Sequence, residues 1–250
     1  MQNDKSMRTL AIDAGNSRIK WGVHEGGAWL SQSWIATADA AQLAQTWTRV
    51  PKPDVVLASN VAGQQVGDAL RSAAAPLGHG IEFIRSRDYQ CGVRNSYRDS
   101  AQLGPDRWAA LIGAWHLCGG PSVVINAGTT MTVDALSADG VFLGGVIVPG
   151  IDLMRHALAR ATAGLELAEG SFTFFPDTTA DAIMSGAINA LAGTVERMRR
   201  FMLEAGEAAP RIVLSGGAAT IVERALNGAA EVMDNLVLEG LVRIALETKA

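Results

Sequence analysis

Two stretches of the chain are near-copies of each other, and they restrict its fold more than any other feature. From Leu10 to Val23, an apolar run reaches an acid at Asp13, breaks over Gly15, Asn16 and Ser17, and resumes around the basic residue Lys20. From Ser122 to Asp134 the pattern returns: apolar residues, then Asn126-Ala-Gly-Thr-Thr130, then apolar residues again. Apolar runs separated by glycine and short polar side chains predict strand, tight turn, strand. Asp13-Ala-Gly-Asn-Ser17 and Asn126-Ala-Gly-Thr-Thr130 differ mainly in their first residue. A unit repeated at the start of each half predicts two related lobes, residues 1–118 and 119–250, whose turns face one cleft.

The residue types at the first turn suit phosphate. Gly15 lets the backbone approach a ligand closely, while Asn16 and Ser17 place short donors beside exposed amides. Asp13 is an acceptor for a magnesium ion or its waters, and Lys20 is a compact cation for phosphate. Taken singly, this stretch is equally an ordinary hairpin with a surface acid. The second copy shifts the balance towards two lobes holding a phosphate chain from both sides, as a kinase does.

Size and charge narrow the partners. A chain of 250 residues, 48% hydrophobic and 18% charged, forms a substantial core. A net charge of −4, without a basic run, argues against nucleic acid or an anionic membrane as partner. Cys91 and Cys118 are too few and too isolated for a disulfide framework, and they read as free thiols of a reducing cytoplasm. The polar start, Met1 to Met7, lacks the apolar segment of a signal peptide, and no stretch has transmembrane length. His24, His79, His116 and His156 show no metal-ligand spacing.

Along the chain, strands and helices alternate as in an α/β fold. Three strands are expected between Thr9 and Ile35, and a short helix from Asp39 to Trp47. A strand follows at 53–59, a helix from Val61 to Ala75 and a strand from Ile81 to Ile84. Trp21, Trp29, Trp34 and Trp47 read as core or subunit surface. Arg85 to Arg98 is polar and reads as a solvated loop, the rival reading being a cation-rich substrate loop. Beyond it, Trp108, Leu111, Ile112 and Trp115 fall at helical spacing behind the turn Gly104-Pro105. Asp106 and Arg107 then share the first helical turn. An acid suits that position through the helix dipole, whereas an arginine there suits an anion, so the pair fits acid–base or phosphate chemistry.

In the second half, Val141 to Gly150 is expected as strand and turn, Ile151 to Ala163 as helix, Gly164 to Asp177 as loop and Thr178 to Leu203 as a long helix. Arg211 to Ala218 runs as a buried strand into Gly216 and Gly217, where backbone can meet a flat or phosphorylated ligand. Leu236 to Glu247 closes the chain as an amphipathic helix. Neither a P-loop, nor GxGxxG, nor GxSxG is present.

In combination, Asp13-Ala-Gly-Asn-Ser17, Gly104-Pro-Asp-Arg107, Asn126-Ala-Gly-Thr-Thr130, Gly144-Gly-Val-Ile-Val-Pro-Gly150 and Leu214-Ser-Gly-Gly-Ala218 resemble, in order, the motifs of type III pantothenate kinases. That resemblance implies two RNase H-like (actin-like) lobes with mixed sheets flanked by helices, and an ATP cleft between them. It implies transfer of phosphate from ATP to pantothenate, giving 4′-phosphopantothenate at the first step of coenzyme A synthesis, by a cytoplasmic homodimer.

By residue, the resemblance assigns Asp13, Gly15, Asn16, Ser17 and Lys20 to the ATP phosphates and magnesium. Gly128, Thr129 and Thr130 become the second phosphate turn, and Gly216 and Gly217 the adenosine side. Asp106 becomes the general base, kept ionised by its helix N-terminus. Arg107, Tyr97, Gly104 and Pro105 become the pantothenate site, with Thr179 reaching the partner subunit's substrate. Family members carry Asp where this chain has Asn126, at a site for potassium or ammonium. Asn keeps an oxygen but not the charge, so cation affinity is expected to fall or the dependence to vanish. Two other functions are compatible with the residues themselves: a nucleotide-sensing regulatory protein, and a kinase for another small hydroxyl compound.

Overall fold

The computed structural model describes residues 7–162, 164–165 and 167–249. Its contacts divide the chain into two compact units, one of residues up to Cys118 together with those from Asn235 onward, the other of Gly119–Asp234.

The first unit is built on β1 (Thr9–Ala14), β2 (Arg18–Glu25), β3 (Ala28–Ala36), β4 (Val55–Asn60) and β5 (Ile81–Phe83), in the order β3-β2-β1-β4-β5. β1 pairs antiparallel with β2, and β2 with β3, while β1–β4 and β4–β5 are parallel. Side chains alternate across the sheet. Leu10, Ile12, Ala14, Ile19 and Trp21 therefore share one face, where they pack with Leu43 and Trp47 of α1 (Leu43–Trp47) and Leu70 of α2 (Gln64–Ala74). Trp21 meets Trp47 edge to face at 6.1 Å. A 3₁₀ turn over Thr37–Gln42 leads into α1, so the helix expected from Asp39 is shorter than its pattern suggested.

Helix α3 (Pro105–Cys118) packs along the C-terminal helix (Leu236–Lys249). Their approach is close. A Cβ on Gly113 would stand 2.5 Å from the Leu236 carbonyl, and one on Gly240 would run into the carbonyl of Ala109. Residues 235–249 thus belong with the first unit, a correction to the boundary that placed 119–250 in one lobe. The segment from Arg85 to Arg98 also departs from the solvated loop expected. It holds a short hairpin, β6 (Tyr89–Gln90) with β7 (Val93–Asn95), in which Val93 is fully buried and Gln90 accepts a hydrogen bond from the Trp108 indole at 3.1 Å.

The second unit repeats the plan. Its strands are β8 (Ser122–Ala127), β9 (Thr130–Leu136), β10 (Val141–Pro149), β11 (Arg211–Ser215) and β12 (Glu231–Val232), ordered β12-β11-β8-β9-β10. β8–β9 and β9–β10 are antiparallel, and β8–β11 and β11–β12 parallel. This is the first unit's connectivity, strand for strand. Val123, Ile125, Val133 and Leu214 pack with Ile188, Leu191 and Val195 of α5 (Thr179–Glu204), beside α4 (Ile151–Ala161) and α6 (Ala219–Glu223). The expected end of α4 at Ala163 lies outside the described residues. Among the described residues no helix is long and apolar enough to cross a membrane.

Candidate active site

In the first unit the turn between β1 and β2 is tightly closed. The Gly15 amide donates to the Arg18 carbonyl at 3.0 Å, and the Thr37 hydroxyl donates to the Gly15 carbonyl at 2.7 Å. Asn16 and Ser17 stand exposed at its tip. Asp13 and Lys20 face each other across the β1–β2 ladder, and Ser59 of β4 faces Asp13 from the other side. Because Ile12 and Ala14 point to the α1–α2 face, Asp13, Lys20 and Ser59 point to the opposite one. Burial is the main reason that the Asp13 carboxyl is pushed up to about 7. The charge on Asp106 adds to this, and Lys20 only partly offsets it.

Asp106 occupies the first turn of α3, whose entry is set by the turn at Gly104-Pro105. The Trp108 amide donates to the Gly104 carbonyl at 3.0 Å. A Cβ on Gly104 would come within 2.6 Å of Asp106 Oδ1, so glycine keeps the space the carboxylate occupies. Burial raises the Asp106 carboxyl above its ordinary value, against the lowering effects of backbone N–H donors and of the Arg107 charge. The helix N-terminus favours the ionised form, and desolvation acts against it with the larger effect.

Arg107 is buried, and its Nη1 donates to the Tyr97 hydroxyl at 3.3 Å, with the guanidinium 5.9 Å from the Tyr97 ring centre. The first unit therefore brings Asp13, Lys20 and Asp106 into one electrostatic neighbourhood, and Tyr97 against Arg107. Arg18 lies over the exposed ring of Trp34 at 4.3 Å, a contact that the spacing of residues did not signal.

In the second unit the Gly128 amide donates to the Thr130 carbonyl at 3.0 Å, leaving Gly128, Thr129 and Thr130 exposed. Asn126 sits half-buried opposite Thr132. Both units close their first strand alike. The Ala14 carbonyl accepts from the Val61 amide and the Ala127 carbonyl from the Ala218 amide, each at 3.0 Å. Gly216 adopts φ +100° directly against Ala127, where any Cβ would meet backbone; Gly217 beside it is exposed. So the second turn and the glycine pair adjoin. Thr179 is exposed at the first position of α5, behind Thr178, which caps the helix by accepting from the Asp181 amide at 3.1 Å. The Asp181 carboxylate accepts from the Ser171 amide at 2.6 Å and from the Thr178 hydroxyl at 2.8 Å, and these two bonds hold it below the usual range.

Among the described residues no group of three His, Cys, Asp or Glu could hold a metal unaided. Asp13 offers a single carboxylate, the donor set of an ion that arrives with phosphate oxygens and water.

Two units with one connectivity, each turning on glycine after its first strand, define the two-lobed class of sugar kinases and actin-like proteins. Solved structures of like fold include a candidate Baf family transcriptional activator from Campylobacter jejuni (TM-score 0.60, 19% identity, 96% of this chain and 98% of that one). Another is a candidate 2-dehydro-3-deoxygalactonokinase from Sinorhizobium meliloti (TM-score 0.59, 17% identity, 96% and 97%). At such identities the likeness is one of fold alone.

Sequence is more specific. Residues 9–200 match the family model for type III pantothenate kinase. The type III pantothenate kinase of Nitrosospira multiformis is 48% identical, across 96% of this chain and 91% of that protein. That of Aromatoleum aromaticum is 47% identical, across 96% and 99%. The chain belongs to the type III pantothenate kinase family. Membership of a kinase family stands against a non-enzymatic nucleotide sensor.

Proposed function

We propose that this chain transfers the γ-phosphoryl group of ATP to the terminal hydroxyl of pantothenate, yielding 4′-phosphopantothenate for coenzyme A synthesis. The observation that carries this reading is the family match over residues 9–200, with Asp13 and Asp106 in one electrostatic neighbourhood. Phosphoryl transfer depends mostly on positioning and on neutralising phosphate charge.

Asp106 orients the pantothenate hydroxyl and takes its proton as the oxygen–phosphorus bond forms. Its raised carboxyl makes it a better acceptor near neutral pH than an ordinary carboxylate. Arg107, steadied by Tyr97, offers a guanidinium to the pantothenate carboxylate, a pairing with more geometric demand than a lysine would impose. Gly104 and Pro105 shape the approach to both.

The turn that Gly15 closes, with the amides of Asn16 and Ser17 at its tip and with Lys20, receives the phosphate chain. Asp13 would hold magnesium, which when bound neutralises phosphate charge. A partly buried carboxylate near a second acid, with one lysine to offset them, suits a divalent cation. Gly128, Thr129 and Thr130, with Gly216 and Gly217, serve as further nucleotide contacts. Asn126 offers a neutral oxygen to potassium or ammonium, and the monovalent requirement is correspondingly weak. We assign the chain to the cytoplasm as a homodimer in which Thr179 reaches the partner's substrate.

Incubation of the purified chain with ATP, magnesium and pantothenate, with and without potassium or ammonium, tests the reading. Phosphopantothenate should form in all three conditions. Turnover of sugars or acetate in place of pantothenate would contradict it.

A further inference from the structure

Next to Asp13 lies a polar group that the mechanism above leaves unused. Ser59 occupies the last buried position of β4, and its side chain is wholly removed from solvent. Among the described residues its hydroxyl finds no hydrogen-bond partner. A buried hydroxyl without a partner is costly, and where one persists it calls for an explanation. The explanation stands opposite. Ser59 and Asp13 are register partners on adjacent parallel strands, so their side chains leave the sheet side by side on one face.

Asp13 has the complementary deficit. Lys20 is its register partner on β2, and among the described residues no hydrogen-bond donor reaches the carboxylate. A donor without an acceptor thus neighbours an acceptor without a donor. Strands in a sheet lie about 4.8 Å apart. At that spacing a rotation about the Ser59 Cα–Cβ bond is enough to join the two.

We propose that Ser59 is a positioning residue whose hydroxyl donates to the Asp13 carboxylate and fixes the direction in which it presents its free oxygen to a nucleotide-bound divalent cation. This rests on the reading of Asp13 as the magnesium ligand given above. With a magnesium nucleotide present, the Asp13 carboxylate gains the donor that its strand neighbour holds. A backbone amide could not serve here, since the amides of β4 are committed to the parallel ladders with β1 and β5.

Calorimetric titration of ADP, with magnesium and with chelator, tests the pairing without relying on turnover. In the wild type, magnesium should tighten ADP binding. Ser59→Ala should lose most of that gain, roughly tenfold, the scale of a hydrogen bond to a charged group. Its ADP affinity in chelator should match wild type. Ser59→Thr, which keeps the hydroxyl, should retain the gain, and Ser59→Cys, a weaker donor, should fall between. A merely structural role would weaken ADP binding equally with and without magnesium, so that result overturns the proposal. So does a full magnesium gain in Ser59→Ala. Asp13→Asn separates the two levels of the reading. If it loses the gain while Ser59→Ala keeps it, the Ser59 role fails and the Asp13 assignment stands. If Asp13→Asn keeps the gain, both fall. Should Ser59→Ala not fold, Ser59→Cys and Ser59→Thr decide by the same comparison.

Discussion

Asp13, at the end of β1, has its carboxyl raised by burial and then by the charge of Asp106, at the start of α3, so two acids far apart in sequence share one electrostatic environment. Like charges brought together in a partly desolvated place are unfavourable for folding, and they persist where function uses them.

Stability should depend on pH through Asp13. The folded-state value of Asp13, about 7, stands above its ordinary value of 3.8. The native state therefore keeps this proton after the unfolded chain has released it. Its contribution is full below 3.8 and is lost as pH rises towards 7. Asp13→Asn should unfold at a higher temperature than wild type above neutrality and at a similar temperature near pH 4. Each kcal/mol recovered corresponds to about 2–4 °C in a chain of this size. Thermal melts across that range, in chelator, check it; an equal difference at every pH would count against it.

Gly104→Ala isolates geometry from charge. The added methyl would meet Asp106 Oδ1 at 2.6 Å and displace the carboxylate without removing it. A misplacement of this kind should lower kcat about 10²-fold, with stability changed by about 1 kcal/mol or less. Steady-state kinetics beside a melting curve would separate the two effects.

Substrate placement is tested at Tyr97. Tyr97→Phe removes the 3.3 Å hydrogen bond from Arg107 but keeps the ring. The KM for pantothenate should rise about two- to tenfold, the scale of one hydrogen bond, while kcat holds within about twofold. Arg107→Lys should be worse, because a point charge cannot reproduce the planar fork. A KM unchanged in both variants would remove the pair from the substrate site.

Much of this arrangement is legible in the residues themselves, and the remainder is hidden for physical reasons. The two hairpins show because glycine and short polar side chains punctuate apolar runs at Gly15 and Gly128. The start of α3 shows because Pro105 can begin a helix and cannot continue one. By contrast, Leu236, Leu241 and Val242 announce a buried helix face without saying which unit buries it. Only the close approach of Gly240 to Ala109 settles that, and an isolated glycine in a helix is a weak signal. The hairpin at Tyr89–Asn95 is polar on one face, and its three- and two-residue strands are too short for periodicity to register. Ser59 closes an apolar strand as many serines do, and its meaning lies in the β1–β4 register, which local pattern does not specify. The raised carboxyl of Asp106 is a balance between desolvation and a helix N-terminus. Sequence exposes only the second of these.

Monovalent cations offer a further check at Asn126. The wild type should respond weakly to potassium or ammonium. Asn126→Asp, restoring a charge at this half-buried position, should bring stimulation of about fivefold or more, the scale of a charge contact in a partly solvated site. Initial rates over a potassium series would show it, and a strong response already in the wild type would contradict the weakened site.

The most direct test is magnesium-ATP-dependent phosphorylation of pantothenate by the wild type and by Asp106→Asn, with ADP binding measured on both. The wild type should form product, and kcat should be lower by roughly 10²–10⁴ in the variant, with ADP affinity preserved. A folded Asp106→Asn enzyme that turns over at the wild-type rate would contradict it.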